Sequence, residues 1–271
     1  MPISIATEID SLPKTKLRYS ICTLMSKPQE YEEMVDSFLK AGFSKDFCEY
    51  IYIDNSTTNK YDAFAGLNKF LLEAKGEYII LCHQDILLNY DDLTVLEKRI
   101  DEINSIDPNW AVIGNAGARN IKDIIFKITG SDLVADIRGK APALAKTVDE
   151  NFMLVKRAAN LALSGNLKGF HLYGTDLCII AKALGYNSYV IDFNLIHKSK
   201  GSIDDHFRKL EKELIEKYIH AFRGRYIQTT CTKFYISGSR FQTWLFNSKY
   251  AFSIAKRYYK LRKRKYYKNE K

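Results

Sequence analysis

The feature that most constrains the fold is a short apolar run at residues 78–82, YIILC, which ends abruptly in the polar triplet His83, Gln84 and Asp85. An apolar run of this length, preceded by Gly76, is typical of a strand buried on both faces of a parallel sheet. In open α/β sheets, ligands bind beyond the carboxyl ends of the strands, so the triplet is expected at a ligand site. A carboxylate and an imidazole two residues apart suit a divalent cation and a phosphate-bearing substrate. The alternative is that Asp85 only caps a turn and His83 only ends a strand.

Strand and helix patterns alternate along the first 114 residues. Predicted strands cover residues 17–23, 49–53, 78–82 and 110–114, and predicted helices lie between them at residues 28–42, 62–74 and 91–105. Repeated strand–helix–strand units with right-handed crossovers predict an α/β fold with a doubly wound, mostly parallel sheet and helices on both faces. Neither GxGxxG nor GxxxxGK(S/T) follows the first strand. Their absence disfavours a dinucleotide-binding Rossmann enzyme and a P-loop nucleotide hydrolase.

The pattern is less regular beyond residue 114. We predict a loop at residues 115–117, a strand or short helix at 121–128, a loop at 130–140, a strand at 147–155, a helix at 177–185 and a strand at 188–196. The last of these strands delivers His197, which is therefore expected at the same sheet edge as the triplet.

The positive charge of the chain is concentrated at one end. The formal net charge is +9, and residues 203–271 contain 18 Lys and Arg against 6 Asp and Glu, whereas residues 1–202 contain 23 against 26. This asymmetry predicts a sheet-bearing domain at residues 1–202 and a helical, basic and aromatic extension at residues 203–271. The extension opens with an amphipathic helix over residues 202–222, whose apolar stripe is typical of a face packed on a core.

Cysteine usage and hydropathy indicate a cytosolic protein. The five cysteines are scattered without a CxxC pair, which predicts reduced thiols. The first 14 residues lack a basic region followed by a long apolar run, so no signal peptide is predicted. No segment reaches about 18 consecutive apolar residues, so no membrane-spanning helix is predicted.

Four sequence blocks carry a resemblance to a known family. They are YIDNS at residues 52–56, AGLNKFLLEAKGEYIILCHQDI at 65–86, GFHLYGTDLCIIAKALGY at 169–186 and VIDFNLIHKS at 190–199. In this order and spacing they resemble the nucleotide-sugar glycosyltransferases of the GT-A fold, close to glycosyltransferase family two. More narrowly, they resemble the bacterial branch whose metal motif reads His-x-Asp in place of Asp-x-Asp. The resemblance implies a GT-A nucleotide-sugar-binding and catalytic domain at residues 1–202 and does not extend to the rest of the chain.

The resemblance implies a set of donor-binding residues. Asp54, with Asn55, would lie at the nucleotide base, where a carboxylate acts purely as a hydrogen-bond acceptor. Asn68, His83 and Gln84 would also contact the donor. The alternative for Asp54 and Asn55 is a simple turn.

The resemblance also implies a metal site. Asp85 and His197 would be ligands of a divalent cation that bridges the donor diphosphate and neutralises charge on the leaving nucleoside diphosphate. His83 replaces the first carboxylate of the family motif, and imidazole is a poor ligand for Mg²⁺. The expected cofactor is therefore Mn²⁺ or Mg²⁺, with Mn²⁺ the better match to imidazole. A lone histidine at the end of a strand is otherwise more often structural.

Asp176 matches the catalytic base of the family. In an inverting transfer, such a base takes the proton of the acceptor hydroxyl while that oxygen attacks the anomeric carbon. The alternative is that Thr175 or Asp176 caps the helix that follows. Asp149 and Glu150 match positions where acceptor contacts occur.

Together these residues predict a glycosyltransferase that moves a hexosyl or deoxyhexosyl group from a nucleotide sugar to a growing bacterial surface glycan. The acceptor would be lipopolysaccharide, capsule or a related lipid-linked glycan, and the reaction inverting and metal-assisted. The segment 256–268 contains eight Lys and Arg and four Tyr, which suits the surface of an anionic membrane. The expected location is therefore cytoplasmic, peripheral on the inner face of the cell membrane. No nucleic-acid partner is expected, although aromatic and basic residues also suit single strands.

Two other functions stay open at this point. A sugar-phosphate nucleotidyltransferase shares the nucleotide-binding layout, but it usually has a glycine-rich basic loop after the first strand, and residues 22–26, CTLMS, do not form one. A non-enzymatic nucleic-acid-binding protein could use the basic extension. The confinement of the basic excess to one end, beside a mildly acidic domain, favours a membrane partner over that second function.

Overall fold

The computed structural model describes residues 16–199, 201 and 203–266, with side chains described as far as residue 261. The N-terminal segment without a predicted signal peptide and the last residues of the basic extension lie outside the described residues. The chain divides into two compact units, residues 1–211 and 212–271. The functional division at residue 202 stays a prediction.

Strands and helices mostly alternate as far as residue 114, and the chain then runs through a series of strands before the next α-helix. In chain order the elements are β1 (Tyr19–Met25), α1 (Pro28–Lys40), β2 (Cys48–Asp54), α2 (Ala63–Glu73), β3 (Tyr78–Cys82), β4 (Ile86–Leu87), α3 (Leu93–Ile106), β5 (Trp110–Gly114), β6 (Ala116–Ala118), β7 (Ile124–Gly130), β8 (Ala135–Arg138), β9 (Ala143–Ala145), β10 (Thr147–Val148), β11 (Phe152–Lys156), α4 (Tyr173–Ala183), β12 (Asn187–Val190), β13 (Leu195–His197), α5 (Asp205–Phe222), β14 (Arg225–Gln228), β15 (Lys233–Ile236), α6 (Arg240–Phe246) and α7 (Lys249–Tyr266). The strands and helices predicted before residue 114 are confirmed, with their ends displaced by two residues at most.

Two sheets form the larger unit. In the described structure the first has the strand order β2-β1-β3-β11-β5-β12-β9, and only β11 and β9 run against the other five strands. The second has the order β10-β6-β7-β13-β4, with β8 paired to β7. The chain passes from the first sheet to the second between β3 and β4, through residues 83–85. The mixed α/β architecture with a mostly parallel first sheet confirms the predicted fold class.

The first sheet is buried on both faces. On one face, Tyr19 and Ile80 pack in a single cluster with Phe38 of α1 and Ile100 of α3. Successive side chains of a strand point to opposite faces, and α2 and α4 contact the strands from the other face. All five residues of β3 are buried, which is why this strand appears in the sequence as an unbroken apolar run.

The predicted loop at residues 130–140 is wrong. These residues contain β8, which forms an antiparallel hairpin with β7. All four residues of β8 are exposed, and an alternation of only four residues is too short to distinguish a strand from a loop.

Two predicted strands are each divided in the structure. Residues 147–155 form β10 and β11, separated by a turn in which Oδ1 of Asp149 accepts a hydrogen bond from the backbone N–H of Asn151 at 2.9 Å. Residues 188–196 form β12 and β13, which belong to different sheets. The first break brings Asp149 and Glu150 into a turn, and the second brings His197 into the second sheet.

The smaller unit packs around a cluster of aromatic rings. Tyr226 and Tyr235 of the β14–β15 hairpin have ring centroids 4.9 Å apart, and Phe246 and Phe252 of the two last helices lie 4.9 Å from Tyr235 and 5.6 Å from Tyr226. The helical basic extension is confirmed, with a hairpin that the sequence did not predict. No helix in the described part of the chain is long and apolar enough to cross a bilayer.

Candidate active site

A cavity of about 500 Å³ lies at the carboxyl ends of β1 and β3. This volume falls in the range of roughly 300–1,000 Å³ that is usual for small-ligand sites. Five of the predicted site residues line it, namely Asn55, His83, Gln84, Asp85 and Glu150. The location agrees with the general position of ligands in open α/β sheets.

Two histidines and one aspartate meet at the edge of this cavity. Nδ1 of His83 lies 3.3 Å from Nε2 of His197, and Nε2 of His197 lies 3.4 Å from Oδ1 of Asp85. Nδ1 of His83 lies 3.9 Å from the same Asp85 oxygen. Strand pairing produces this arrangement, because His197 of β13 is paired with Ile86 of β4, the residue that follows Asp85.

Two of the three distances match the spacing of ligand atoms around a bound divalent cation, and the third, 3.9 Å between His83 and Asp85, is longer. Metal–ligand bonds of about 2.1 Å place neighbouring ligand atoms roughly 3.0–3.4 Å apart. Two imidazoles with one carboxylate suit Mn²⁺ and other transition metals better than Mg²⁺. Nε2 of His83 lies 2.8 Å from the hydroxyl oxygen of Tyr173, so Tyr173 can fix the ring with Nδ1 directed at the other two ligands.

The ionisation of the cluster also suits a cation. Burial alone would raise the pKa of Asp85, but hydrogen bonds from His197 and Ser199 outweigh burial and hold the pKa well below its usual range. Burial, reinforced by the neighbouring His197, lowers the pKa of His83. At neutral pH the site therefore has an ionised carboxylate beside a neutral His83, the protonation states that bind metal.

Glu150 lines the same cavity as this cluster. Burial first, and then the charge of Asp149, raise the pKa of Glu150 to about 8, although a hydrogen bond from the backbone N–H of Gly174 acts in the opposite direction. That N–H lies 3.1 Å from Oε1 of Glu150. A carboxyl group with a pKa near the working pH is suited to general acid–base catalysis.

A left-handed residue precedes the helix that contacts both groups. Leu172 has φ 59° and ψ 8°, a conformation that costs a residue with a side chain about 1–2 kcal/mol. The next two residues are Tyr173, which contacts His83, and Gly174, whose N–H binds Glu150. The backbone strain thus lies where the chain turns toward the cavity, as is common at functional sites.

Asp176, the predicted catalytic base, does not lie on the cavity wall in the described structure. Its side chain is 0% exposed. Oδ2 accepts the backbone N–H of Ser164 at 2.8 Å and Oδ1 accepts the Ser164 hydroxyl at 2.6 Å. Asp176 therefore fixes the loop before α4 through Ser164, and its role as the catalytic base stays a prediction.

We expect Asp176→Ala to lower the free energy of unfolding by about 3 kcal/mol, because both Ser164 donors would stay buried without their acceptor. Ser164→Ala should cost about 1 kcal/mol, since it removes a single neutral donor. Urea denaturation of the two single variants and the double variant measures the coupling between these residues. An Asp176→Ala variant with wild-type stability and no activity would support Asp176 as the base.

Two of the predicted donor-binding residues hold loops at the cavity. Oε1 of Gln84 accepts the backbone N–H groups of Ser26 at 2.8 Å and Lys27 at 2.9 Å. Nδ2 of Asn55 donates to the carbonyl oxygen of Tyr61 at 2.9 Å. These amides therefore shape the cavity, and their contact with a donor stays a prediction.

The other two donor-binding candidates lie outside the cavity wall of the described structure. Asp54 ends β2 and accepts the N–H of Ser56 at 2.9 Å and its hydroxyl at 2.6 Å; its contact with a base stays a prediction. The amide of Asn68 is engaged by Leu163, donating to its carbonyl at 3.1 Å and accepting its N–H at 2.7 Å. Asn68 thus joins α2 to a loop, and its prediction as a donor contact is not supported.

Sequence reasoning did not assign Tyr173 and Ser199. Ser199 donates its backbone N–H to Oδ2 of Asp85 at 3.2 Å, and its hydroxyl lies 3.2 Å from Nε2 of His197. Both residues fall inside the sequence blocks that carry the family resemblance. A search of these blocks for hydroxyl groups able to orient the histidines would have found them.

Comparisons with known proteins agree with this architecture. No protein-family model matches the chain. A protein from Fuscovulum blasticum called ATP synthase subunits region ORF 6 is 31% identical over 248 residues, which cover 88% of this chain and 98% of that protein. Among solved structures, S. aureus TarS is similar with a TM-score of 0.50 and 14% identity over 75% of this chain and 40% of that chain. A structure of S. aureus TarS 1-349 in complex with UDP gives a TM-score of 0.49 and 14% identity over 75% of this chain and 66% of that chain.

At this level of identity the likeness to TarS concerns the fold. The chain spans 40% of the length of the TarS chain, and the shared architecture is that of GT-A glycosyltransferase structures.

Proposed function

The chain belongs to the family of the Fuscovulum blasticum protein called ATP synthase subunits region ORF 6, and we propose that it is a glycosyltransferase that uses a nucleotide-sugar donor. The observation that carries the proposal is the meeting of His83, Asp85 and His197 at a cavity on the carboxyl edge of a GT-A-like sheet. Such a cluster suits a donor that carries a diphosphate, since anions of this kind are bound together with a divalent cation.

The residues of the cluster have a defined task in this proposal. His83, Asp85 and His197 would hold Mn²⁺ or, less well, Mg²⁺. When bound, the cation supplies positive charge that offsets the charge developing on the leaving nucleoside diphosphate. Tyr173 orients His83 through its hydroxyl group, and Ser199 orients Asp85 through its backbone N–H.

Glu150 takes the role first predicted for Asp176. In the proposed step, the acceptor oxygen forms a bond to the anomeric carbon as the bond from that carbon to the diphosphate oxygen breaks. The hydroxyl proton passes to the carboxylate of Glu150, and the nucleoside diphosphate leaves with the bonding electrons. The position of Glu150 on the cavity wall and its raised pKa support this assignment.

The acceptor follows from the sequence resemblance. We propose a hydroxyl group of a growing, lipid-linked bacterial surface glycan, with transfer of a hexosyl or deoxyhexosyl group and inversion at the anomeric carbon. Asp149, next to Glu150 in the turn between β10 and β11, is the proposed acceptor contact.

A screen of nucleotide sugars tests the proposal. We expect one nucleotide class to raise the Tm by about 5 °C or more at a hundredfold excess over Kd, and the protein to release nucleoside diphosphate slowly from that donor in the presence of Mn²⁺. An Asp85→Ala variant in the same screen serves as the control for the cavity. Stabilisation by nucleoside triphosphates alone, with release of pyrophosphate on addition of a sugar phosphate, would contradict transfer and favour a nucleotidyltransferase.

A further inference from the structure

We propose that the exposed face of α6 and α7 is a docking surface for an anionic lipid bilayer. The proposal concerns the smaller unit alone, and its test does not require glycosyl transfer. It rests on the separate positions of apolar, basic and packed side chains around α7.

One side of α7 carries an apolar stripe that faces solvent. Tyr250, Ile254 and Leu261 are 84%, 71% and 60% exposed, and Tyr258 is also exposed. Their spacing of four, four and three residues places them along a single face of the helix. Scattered exposed apolar residues are normal on a protein surface, but an aligned stripe marks an interaction site.

The stripe is distinct from the face that packs within the unit. Ala251, Phe252 and Ala255 are half-buried, and the Phe252 ring lies 5.6 Å from that of Tyr226. Because α7 already has an inward face, the stripe is not needed for the packing of this unit.

Basic residues flank the stripe. Lys249, Lys256 and Lys260 are exposed together on a third side of the helix, and Arg257 lies at the border between that side and the stripe. Residues 240–261 contain no Asp or Glu. A helix with an apolar face and a purely basic flank complements a surface that is apolar beneath and negatively charged at its headgroups.

Helix α6 adds two exposed aromatic rings. Phe241 and Trp244 are 67% and 73% exposed, with ring centroids 6.1 Å apart. Aromatic residues of this kind are enriched where membranes meet water. They add exposed aromatic surface to the same unit.

The aliphatic residues of the stripe favour a bilayer over a nucleic acid as the binding partner. Single-stranded nucleic acid binds to aromatic rings and basic groups, and it gains nothing from Ile254 or Leu261. A bilayer interface uses aliphatic, aromatic and basic side chains together. The occupant that matches all three classes is an anionic membrane surface.

Sedimentation with vesicles tests the apolar stripe. The full chain should pellet with vesicles of phosphatidylcholine and phosphatidylglycerol, and the double variant Ile254→Ser, Leu261→Ser should bind at least tenfold more weakly. The matched control is Leu72→Ser, Ile121→Ser, which removes two apolar residues of the larger unit that are more exposed than Ile254 and Leu261. Because all four side chains face solvent, the variants should keep the circular dichroism spectrum of the wild type.

A charge variant completes the test. Lys256→Gln, Arg257→Gln, Lys260→Gln should weaken binding at least tenfold and reduce its dependence on salt, whereas Lys45→Gln, Lys122→Gln, Lys140→Gln should not. Vesicles of phosphatidylcholine alone should bind weakly. Unchanged vesicle binding by the stripe variant would overturn the proposal. So would a wild-type protein that does not bind vesicles but binds a single-stranded oligonucleotide through the same basic residues.

Discussion

The substitution Asp85→Ala is expected to lower the rate of sugar transfer by about a thousandfold or more. Asp85 lies beside both histidines and supplies the only negative charge among the three described ligand candidates. Without this charge, two imidazoles would hold a divalent cation weakly, and the charge on the leaving diphosphate would not be offset. A thousandfold loss corresponds to about 4 kcal/mol of transition-state stabilisation.

Cation binding gives a second measurement that does not depend on the acceptor. Calorimetric titration with Mn²⁺ should show one site in the wild type and none in Asp85→Ala or His197→Ala. Tyr173→Phe should weaken Mn²⁺ binding by about 10–100-fold, because it removes the hydroxyl that holds Nε2 of His83 and so directs Nδ1 at the site. Asp101→Ala, in an exposed position of α3, is the matched control and should behave as the wild type. Wild-type Mn²⁺ affinity in Asp85→Ala would contradict the metal site.

The substitution Glu150→Gln should lower kcat by about a hundredfold or more and leave donor affinity nearly unchanged. Glutamine keeps the shape of the side chain and can still accept the N–H of Gly174, but it cannot accept a proton at neutral pH. A loss confined to kcat is the pattern of a group that acts in the transition state. Donor binding, measured by calorimetry with an unreactive donor analogue, separates this result from a collapse of the cavity.

The pH dependence of Glu150 provides an independent check. With its pKa raised to about 8, kcat/KM should increase with pH and level off near that value. Asp149→Asn should shift the midpoint to lower pH, because the charge of Asp149 contributes to the raised pKa of Glu150. A pH profile that is the same in Glu150→Gln and the wild type would exclude Glu150 as the base.

The same pKa shift has a consequence for stability. A raised pKa means that Glu150 binds its proton more tightly in the folded chain than in the unfolded chain. The stabilising contribution is therefore complete below the ordinary carboxyl range and is lost as the pH rises toward about 8. As the pH rises over this interval, we expect the free energy of unfolding of Glu150→Gln to increase relative to that of the wild type. Measurements of Tm for both proteins at several pH values test this expectation.

Sequence reasoning was most successful where burial is continuous. The strand at residues 78–82 was predicted with its observed bounds. A strand enclosed by helices on both faces is apolar throughout, so the polar residues that follow it mark its end clearly. The position of His83 and Asp85 at the carboxyl edge followed directly from that strand. Their meeting with His197 could be anticipated from the family resemblance and from the strand before it.

Sequence reasoning failed where an irregular loop decides the contacts. Asp176 lies in the first turns of a helix, and helical spacing does not reveal that Ser164, twelve residues earlier, folds over it. The exposed strand β8 was missed for a related reason. Four residues with little contact with the core do not give a sequence pattern that distinguishes a strand from a loop. Local sequence patterns reflect burial, whereas these features depend on how a loop packs and on how an exposed strand pairs with its neighbour.

The passage of the chain between its two sheets sets the order in which the candidate site can form. His83 follows a strand of the first sheet and His197 ends a strand of the second, and the two residues are 114 positions apart in the sequence. Contacts so distant along a chain form late in folding, after the loops that separate them have closed. A chain with only one sheet in place would lack the three-ligand cluster, so acquisition of Mn²⁺ affinity during refolding should coincide with the last phase and not with collapse.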